Sequence, residues 1–578
     1  MTRLWNDPAD FADEMIEGFV AANSRSVRRV AGGVVRSTVV PVGEVAVVIG
    51  GGSGHYPAFG GMVGQGLAHG AAMGNLFASP SAQQVRSVAK AADRGAGVFF
   101  CYGNYAGDVL NFDAAQERLR SEGIATETVT VTDDISSAAI SEKHRRRGIA
   151  GDLTVFRAAA AAAERGDDLA GVAAIAARAN ERTRSFGVAF TGCTLPGAPE
   201  PLFTVPAGRM AVGLGIHGEP GIDEVDIPTA DGLAALLVDA LLREIPDGVE
   251  PDGARVVPIL NGLGSLKHEE MFVVYRRIAQ LLADAGLTIV DPHVGEYCTS
   301  FDMAGTSLTL YWLDDELEQL WNTPVDSPAY RRGAVAPAAP AEASAPDAAQ
   351  IEEIRPGDED SRAVARTVHA VLRTISELLD VNVAELGRID AIAGDGDHGI
   401  GMQRGSRAAL HAATAALDAD AGAQTMLSRA ADAWSDRAGG TSGALWGLRL
   451  NGVAARLGDC GHPDAAVVAA GVADGARAVQ TYGKAELGDK TLVDALLPFS
   501  ETLTAAAARG LALTEAWRAA AVAAQDAATA TAELLPRMGR ARTHGEHAIG
   551  TPDPGAISLA LIATAVGELL ADEGTHHD

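Results

Sequence analysis

The sequence predicts an α/β region followed by an all-α region, and three observations carry that reading. Across residues 1–330, short β-branched runs alternate with amphipathic helical patterns, as in sheets whose parallel strands are joined by crossover helices. Across residues 356–578, apolar residues recur at three- and four-residue spacing, with glycine-rich loops between the segments. Residues 331–355 separate the two regions; they are rich in alanine and proline and lack periodicity, the composition of an extended linker. At 578 residues the chain is also too long for one hydrophobic core, so separate domains over 1–330 and 356–578 are expected.

In the first region, Val45–Ile49 reads as a buried strand ending in Gly50-Gly51-Gly52. The loop Gly50-Gly51-Gly52-Ser53-Gly54-His55 offers backbone amides that can cradle a polar ligand. A purely structural turn would fit the loop equally well. It is not a dinucleotide fingerprint, since G-x-G-x-x-G needs glycine where His55 stands; this disfavours an NAD oxidoreductase. Helix Gln84–Arg94 leads to strand Gly97–Tyr102. Asn104-Tyr105-Ala106-Gly107-Asp108 then places a carboxylate just past a strand, at the edge where α/β sheets bind ligands. The plain alternative is an aspartate that caps the next helix.

Strand Thr126–Val131 follows, and from about 150 to 190 Ala-rich helices dominate, so two α/β subdomains are expected. Gly213-Leu214-Gly215-Ile216-His217-Gly218-Glu219-Pro220-Gly221 leaves a histidine open between glycines. Glu219 or a backbone carbonyl could fix its tautomer, although an ordinary loop histidine has the same local sequence. Helix Asp231–Glu244 and strand Val256–Leu260 continue the alternation.

The second region has helical segments at 360–380, 405–418, 424–436, 445–457, 463–480, 491–508, 514–534 and 556–571. Helices so alike in length suggest an up-and-down bundle or barrel. Between the first two lies a turn holding Asp390, Asp395 and Asp397 among Gly394, Gly396 and Gly399. Carboxylates this close repel one another unless a cation sits between them. Hard divalent cations prefer such oxygens, and Mg²⁺ usually shares them with phosphates. An EF-hand does not fit, because the twelfth position from Asp395 is Ser406 rather than a bidentate glutamate. Gly439-Gly440-Thr441-Ser442-Gly443-Ala444 opens a helix, whose amides and hydroxyls can bind phosphate.

Composition sets the bounds. Net charge is −29, which excludes a basic nucleic-acid surface and disfavours anionic membranes. None of the five lysines stands in the arrangement G-x-x-x-x-G-K-[ST], so a P-loop is excluded. Cys101, Cys193, Cys298 and Cys460 are scattered without metal-ligand spacing and read as reduced thiols. The N-terminus lacks a basic-then-apolar signal pattern and no stretch reads as a membrane span, so a cytoplasmic protein is expected.

Taken together, these motifs resemble the dihydroxyacetone kinase family. The glycine loop with His55, Phe77-Ala-Ser-Pro-Ser81, Gly192-Cys-Thr-Leu-Pro-Gly197, the His217 loop and Ser300-Phe-Asp-Met-Ala-Gly-Thr-Ser-Leu-Thr309 are similar to its substrate-binding domain. The resemblance implies that His217 forms a covalent hemiaminal with a ketone and that His55 hydrogen-bonds the bound ketose. It also implies that Asp108 is the base for the phosphorylated hydroxyl, with Gly52, Ser53 and Gly54 lining the site.

The second region is similar to the family's nucleotide-binding domain, an all-α helical barrel. The resemblance makes Asp390, Asp395 and Asp397 ligands of two Mg²⁺ ions. It assigns ATP to His398, Gly399, Ile400, Thr441, Ser442, Gly483, Thr491, Leu492, Asp553, Pro554 and Gly555. Both domains on one chain resemble the ATP-dependent kinases, and a homodimer is implied. Two positions depart from the family, which usually has glutamate where Tyr56 stands and a substrate-contacting lysine where Gly103 stands. The glycine is expected to open space and favour four-carbon erythrulose over dihydroxyacetone. The competing readings are an FAD-AMP lyase forming cyclic FMN and a non-catalytic ketose-binding regulator; intact Asp390, Asp395, Asp397 and His217 argue against the latter.

Overall fold

The computed structural model describes residues 4–336, 338–339, 354–392, 394, 396–538, 545 and 548–574. The chain forms two compact units, residues 1–348 and 349–578.

In the first unit, helix α1 (Phe11–Ala22) precedes a six-stranded sheet. Its spatial order is β1 (Val27–Val30), β2 (Gly33–Arg36), β4 (Gly70–Leu76), β3 (Ala46–Ser53), β5 (Val98–Gly103) and β6 (Thr126–Val131). Strands β3 to β6 run parallel, whereas β1 and β2 add an antiparallel edge. Strand β4 lies on one side of β3 and β5 on the other, so the carboxyl end of β3 is a topological switch point with an open crevice. Helices α2 (Ala82–Ala92) and α3 (Ala106–Ser121) pack on one face through Val85, Val88 and Phe112 against Val48 and Phe100. The alternate residues Val47 and Phe99 face α4 (Asp152–Arg165) and α5 (Leu169–Glu181).

The second sheet is mixed, in the order β11 (Thr288–Ile289), β10 (Arg255–Gly262), β13 (Gly305–Trp312), β7 (Thr183–Ala189), β8 (Arg209–Val212) and β9 (Asp223–Asp226), with β12 (His293–Gly295) also beside β10. Helices α6 (Ala230–Leu242) and α7 (His268–Asp284) cover its outer face. Its inner residues Val257, Ile259 and Tyr311 share a core with α4 and the first sheet. The run Ala158–Ala163 in α4 is buried throughout, and its small side chains let both sheets approach the helix closely. After α8 (Asp315–Trp321), β14 (Val325–Asp326) pairs with β15 (Arg331–Arg332).

Two readings of local sequence differ from the structure here. Strand β3 continues through its glycines to Ser53, because Gly50 and Gly51 pair with Ala72 and Met73 of β4 before a bulge. The first residues of the expected linker form β15 instead of extended chain, since Arg331 and Arg332 find backbone partners in β14.

The second unit is helical. Among the described residues it holds α9 (Glu359–Asp390), α10 (His398–Asp418), α11 (Ala423–Ala438), α12 (Gly440–Leu457), α13 (Ala465–Gly483), α14 (Leu492–Ala508), α15 (Leu513–Ala530) and α16 (Pro554–Gly574). Each helix packs on the next and α16 packs back on α9, closing a ring. Trp434 and Trp446 stack 4.9 Å apart in its core, surrounded by alanines. Pro554–Ala571 is long and apolar enough to cross a membrane, but here it is a member of the ring, set against α9, α14 and α15. Helix α9 runs to Asp390 and α10 starts at His398, so the helices extend into the acidic turn from both sides, further than periodicity indicates.

Candidate active site

In the first unit the switch point of the sheet gathers the candidate ketose residues. His55 follows β3, Phe77 follows β4, and Tyr105 precedes α3 just after β5. The close approach of the Phe77 loop requires glycine at two positions. A Cβ on Gly52 would lie 2.7 Å from Ala78 N, and Gly54 (φ +104°) would put one 2.7 Å from the Phe77 ring. Ser53 Oγ donates to Gly74 O at 2.6 Å, so its hydroxyl serves the strand junction. His55 is buried and stacks on Phe77, with ring centroids 4.9 Å apart.

His217 comes from the β8–β9 loop of the other sheet, held where Ser300 Oγ donates to Ile216 O at 2.6 Å. Its ring stands edge-on to His55 at 4.7 Å and to Tyr105 at 4.6 Å. The two histidines meet through Nε2 atoms 3.0 Å apart. His55 Nδ1 lies 2.8 Å from Thr299 O, and His217 Nδ1 lies 3.2 Å from Glu219 Oε1. Both partners are acceptors, so each Nδ1 carries hydrogen, and the Nε2···Nε2 contact then needs one shared proton. Burial acts to raise the Glu219 carboxyl, but the charges of His217 and Arg147 outweigh it and hold it well below the usual range. Asp108 is buried in the first turn of α3, three residues on from Tyr105. Tyr105 itself donates its hydroxyl to Gly148 O at 2.9 Å, and burial raises its ionisation.

Gly103 does not open onto empty space, contrary to the expectation from its size. A Cβ there would lie 3.1 Å from the Tyr105 ring and 3.3 Å from Gly148 O. Tyr56 is half exposed, and its carbonyl accepts from Thr299 Oγ1 at 2.9 Å. Sequence reasoning did not find Arg147, Asp134, Thr299 or the Tyr105 ring. They have no local signature, because only the folded chain brings them to His55 and His217.

In the second unit an up-and-down ring places alternate loops at one end. The α9–α10, α11–α12, α13–α14 and α15–α16 loops are of that set, and they carry all the candidate nucleotide motifs. Contacts tie them together. His398 N donates to Asp390 Oδ2 at 3.1 Å, and His398 Nε2 meets Ser558 Oγ of α16 at 3.0 Å. Burial lowers the His398 imidazole, which favours its neutral form. A Cβ on Gly555 would lie 3.4 Å from Leu492 Cβ, so the last two loops touch. Four helix N-termini therefore face one end of the ring, a setting that favours phosphate. Ile400, Thr441 and Ser442 are exposed in the first turns of α10 and α12. Thr491 caps α14 by accepting from Val493 N at 3.2 Å, and Gly483 ends α13 beside Leu445. Asp553 caps α16 by accepting from Ala556 N at 2.7 Å, directly before Pro554.

Asp390 closes α9 and Asp397 immediately precedes α10, while Asp395 lies outside the described residues. Asp397 is solvent-exposed; local desolvation, and then the charge of Asp390, push its carboxyl upward. Burial, then Asp494 and Asp390, push Asp553 up to about 7 as well. Among the described residues no three carboxylates cluster, but Asp390 and Asp397 form an all-oxygen pair that resists carrying both charges, a chemistry that fits a hard divalent cation.

Comparison with known proteins follows this division. A Dak1 domain model matches residues 17–329 and a DAK2 domain model matches residues 392–568. The chain is 59% identical to the L-erythrulose kinase of Pectobacterium atrosepticum, covering 100% of this chain and 98% of that protein. It is 55% identical to the D-erythrulose kinase of Mycolicibacterium smegmatis, covering 98% of each. The crystal structure of the dihydroxyacetone kinase from C. freundii in complex with AMP-PNP and Mg²⁺ is 29% identical, with a TM-score of 0.52 over 98% of this chain and 99% of that one. The chain therefore belongs to the dihydroxyacetone kinase family and is of its single-chain type.

Proposed function

We infer that the protein holds a small ketose covalently on His217 and phosphorylates one of its hydroxyls with ATP. The activity class is an ATP-dependent ketose kinase. One observation carries the covalent step: both Nδ1 atoms of the histidine pair are committed to oxygen acceptors, which leaves one proton between the Nε2 atoms. His217 Nε2 gives its electron pair to the ketone carbon. The carbonyl π pair moves to oxygen, and that oxygen takes the shared proton from His55 Nε2. Glu219 keeps its negative charge beside the alkylated imidazole. A small ketone is thereby fixed in one orientation, which lowers the entropic part of the transfer barrier. Asp108 then accepts the proton of the hydroxyl that attacks the γ-phosphate.

The phosphoryl donor is held by the second unit. His398, Gly399, Ile400, Thr441, Ser442, Gly483, Thr491, Leu492, Asp553, Pro554 and Gly555 form the nucleotide end of the ring. Asp390 and Asp397, with Asp395, would hold Mg²⁺, which neutralises phosphate charge in transfer of this kind. A four-carbon erythrulose is the preferred ketose, a reading supported by the two relatives named for it. A cytoplasmic homodimer completes the proposal.

The test measures ADP release with dihydroxyacetone and each erythrulose enantiomer, together with mass spectrometry of the His217 peptide. An erythrulose with the higher kcat/KM and a ketose adduct on His217 are expected. Better turnover of dihydroxyacetone would overturn the erythrulose preference, and absence of the adduct would overturn the covalent step.

A further inference from the structure

Arg147 lies in the loop between β6 and α4, and its backbone is pinned on both sides. Its N–H donates to Ser137 Oγ at 3.0 Å, and its carbonyl accepts from Asp134 N at 3.1 Å. The guanidinium reaches from this first-sheet loop to the β8–β9 loop that carries His217. Nε lies 3.0 Å from Asp134 Oδ2, Nη2 lies 3.3 Å from Gly213 O, and Nη1 lies 3.6 Å from Glu219 Oε2. Asp134 is itself held by Ser136, whose N–H and Oγ donate to Oδ1 at 3.0 and 2.5 Å. All three charged side chains are at most 18% exposed, so their interaction is only weakly screened.

Gly215 supplies a separate sign that this pair is built in. A Cβ there would lie 2.0 Å from Glu219 Oε2 and 2.5 Å from Arg147 Nη1, in the path between them. Glu219 also receives the His217 N–H at 3.0 Å. Among the described residues, His217 meets His55, Tyr105 and Phe77, while Arg147 meets Asp134, Glu219 and Tyr105. Two further titratable groups face the cluster: Asp133, whose carboxyl burial raises to about 6, lies beside Asp134, and Cys298 lies beside Tyr105.

We propose that Arg147 is a positioning residue of the ketose site, docking the His217 loop onto the first sheet and setting the proton inventory of the His55–His217 pair through Glu219. This rests on His217 being the ketone-binding nucleophile. The Nε2 atoms of the pair must carry one proton between them: a second removes the nucleophilic lone pair, and loss of the first removes the acid for the ketone oxygen. The guanidinium charge opposes proton uptake by the cluster. Without it, uptake occurs at higher pH, so both limbs of a bell-shaped profile move to the alkaline side.

The experiment compares full-length wild type, R147M, R147K and G215A. It follows the pH dependence of the His217 adduct by mass spectrometry and of kcat/KM for the ketose. R147M should lose roughly 10- to 100-fold in kcat/KM at neutral pH, with both limbs displaced upward by about one pH unit. R147K should return the limbs toward wild type. G215A leaves every charge in place but displaces Glu219 Oε2, which also holds the His217 N–H, so it should lower kcat/KM and move the limbs by a different amount from R147M. KM for ATP should stay unchanged in all of them. Reduced activity in R147M and G215A with unshifted limbs would overturn the role of Arg147. Absence of an adduct in the wild type would instead overturn the nucleophile assignment beneath it.

Discussion

His217 Nδ1 faces Glu219 at 3.2 Å, and a carboxylate there can only accept, so the imidazole keeps its hydrogen on Nδ1 and its lone pair on Nε2. E219Q removes that certainty, because an amide can also offer N–H to Nδ1. We predict a fall of about 10- to 100-fold in ketose kcat/KM, the cost of one charged hydrogen bond, with unchanged nucleotide affinity by calorimetry. Gly103 gives a second prediction. A lysine at 103 must push the Tyr105 ring away from His217. G103K should therefore lose turnover with three- and four-carbon ketoses alike; a switch toward dihydroxyacetone would contradict the packing argument. Asp291 gives a pH prediction. Its Oδ2 accepts from His293 at 3.0 Å, from Trp321 at 2.7 Å, and from Arg332. Burial raises its carboxyl, but these hydrogen bonds prevail and hold it down at about 2. Its folded value is below the unfolded one, so the stabilisation is whole above about pH 4 and is lost as pH falls through about 2. D291N should melt below wild type near neutrality, and the gap should close toward about pH 2. An equal gap at both ends would refute the linkage.

At the scale of elements, the proposed nucleotide end depends on how closely α10 enters against α9. A Cβ on Gly399 would lie 2.1 Å from Val383 O, a backbone atom with little room to move. G399A should therefore destabilise the helical unit by about 1–3 kcal/mol, the usual cost of overpacking. It should also weaken nucleotide binding, since His398 and Asp390 meet at this junction. Denaturant unfolding and calorimetry measure the two effects. Unaltered stability would show that the junction is looser than its geometry.

For the whole molecule, the proposed covalent site belongs to residues 1–348 and the proposed nucleotide loops to residues 349–578. H217A should thus lose most ketose turnover and all ketose adduct while binding Mg-ATP as wild type does. Weakened nucleotide binding in H217A would contradict that separation.

Much of this was legible in local sequence because the physics there is local. Helical periodicity, the switch from α/β alternation to all-α, and the glycine-bounded aspartates and histidines depend on spacings of a few residues. The element ends were less legible, as at Asp390 and His398, where α9 and α10 run into a turn that composition marks as loop. The tertiary structure decided what no short pattern holds. His55 and His217 are 162 residues apart, and their Nε2 atoms meet only because two sheets pack around α4. The charge on Glu219 is held by His217 and then by Arg147 from another loop, and the space beside Gly103 is filled by Tyr105. A residue type determines what chemistry is available, whereas long-range packing determines which atoms meet and which protons they keep.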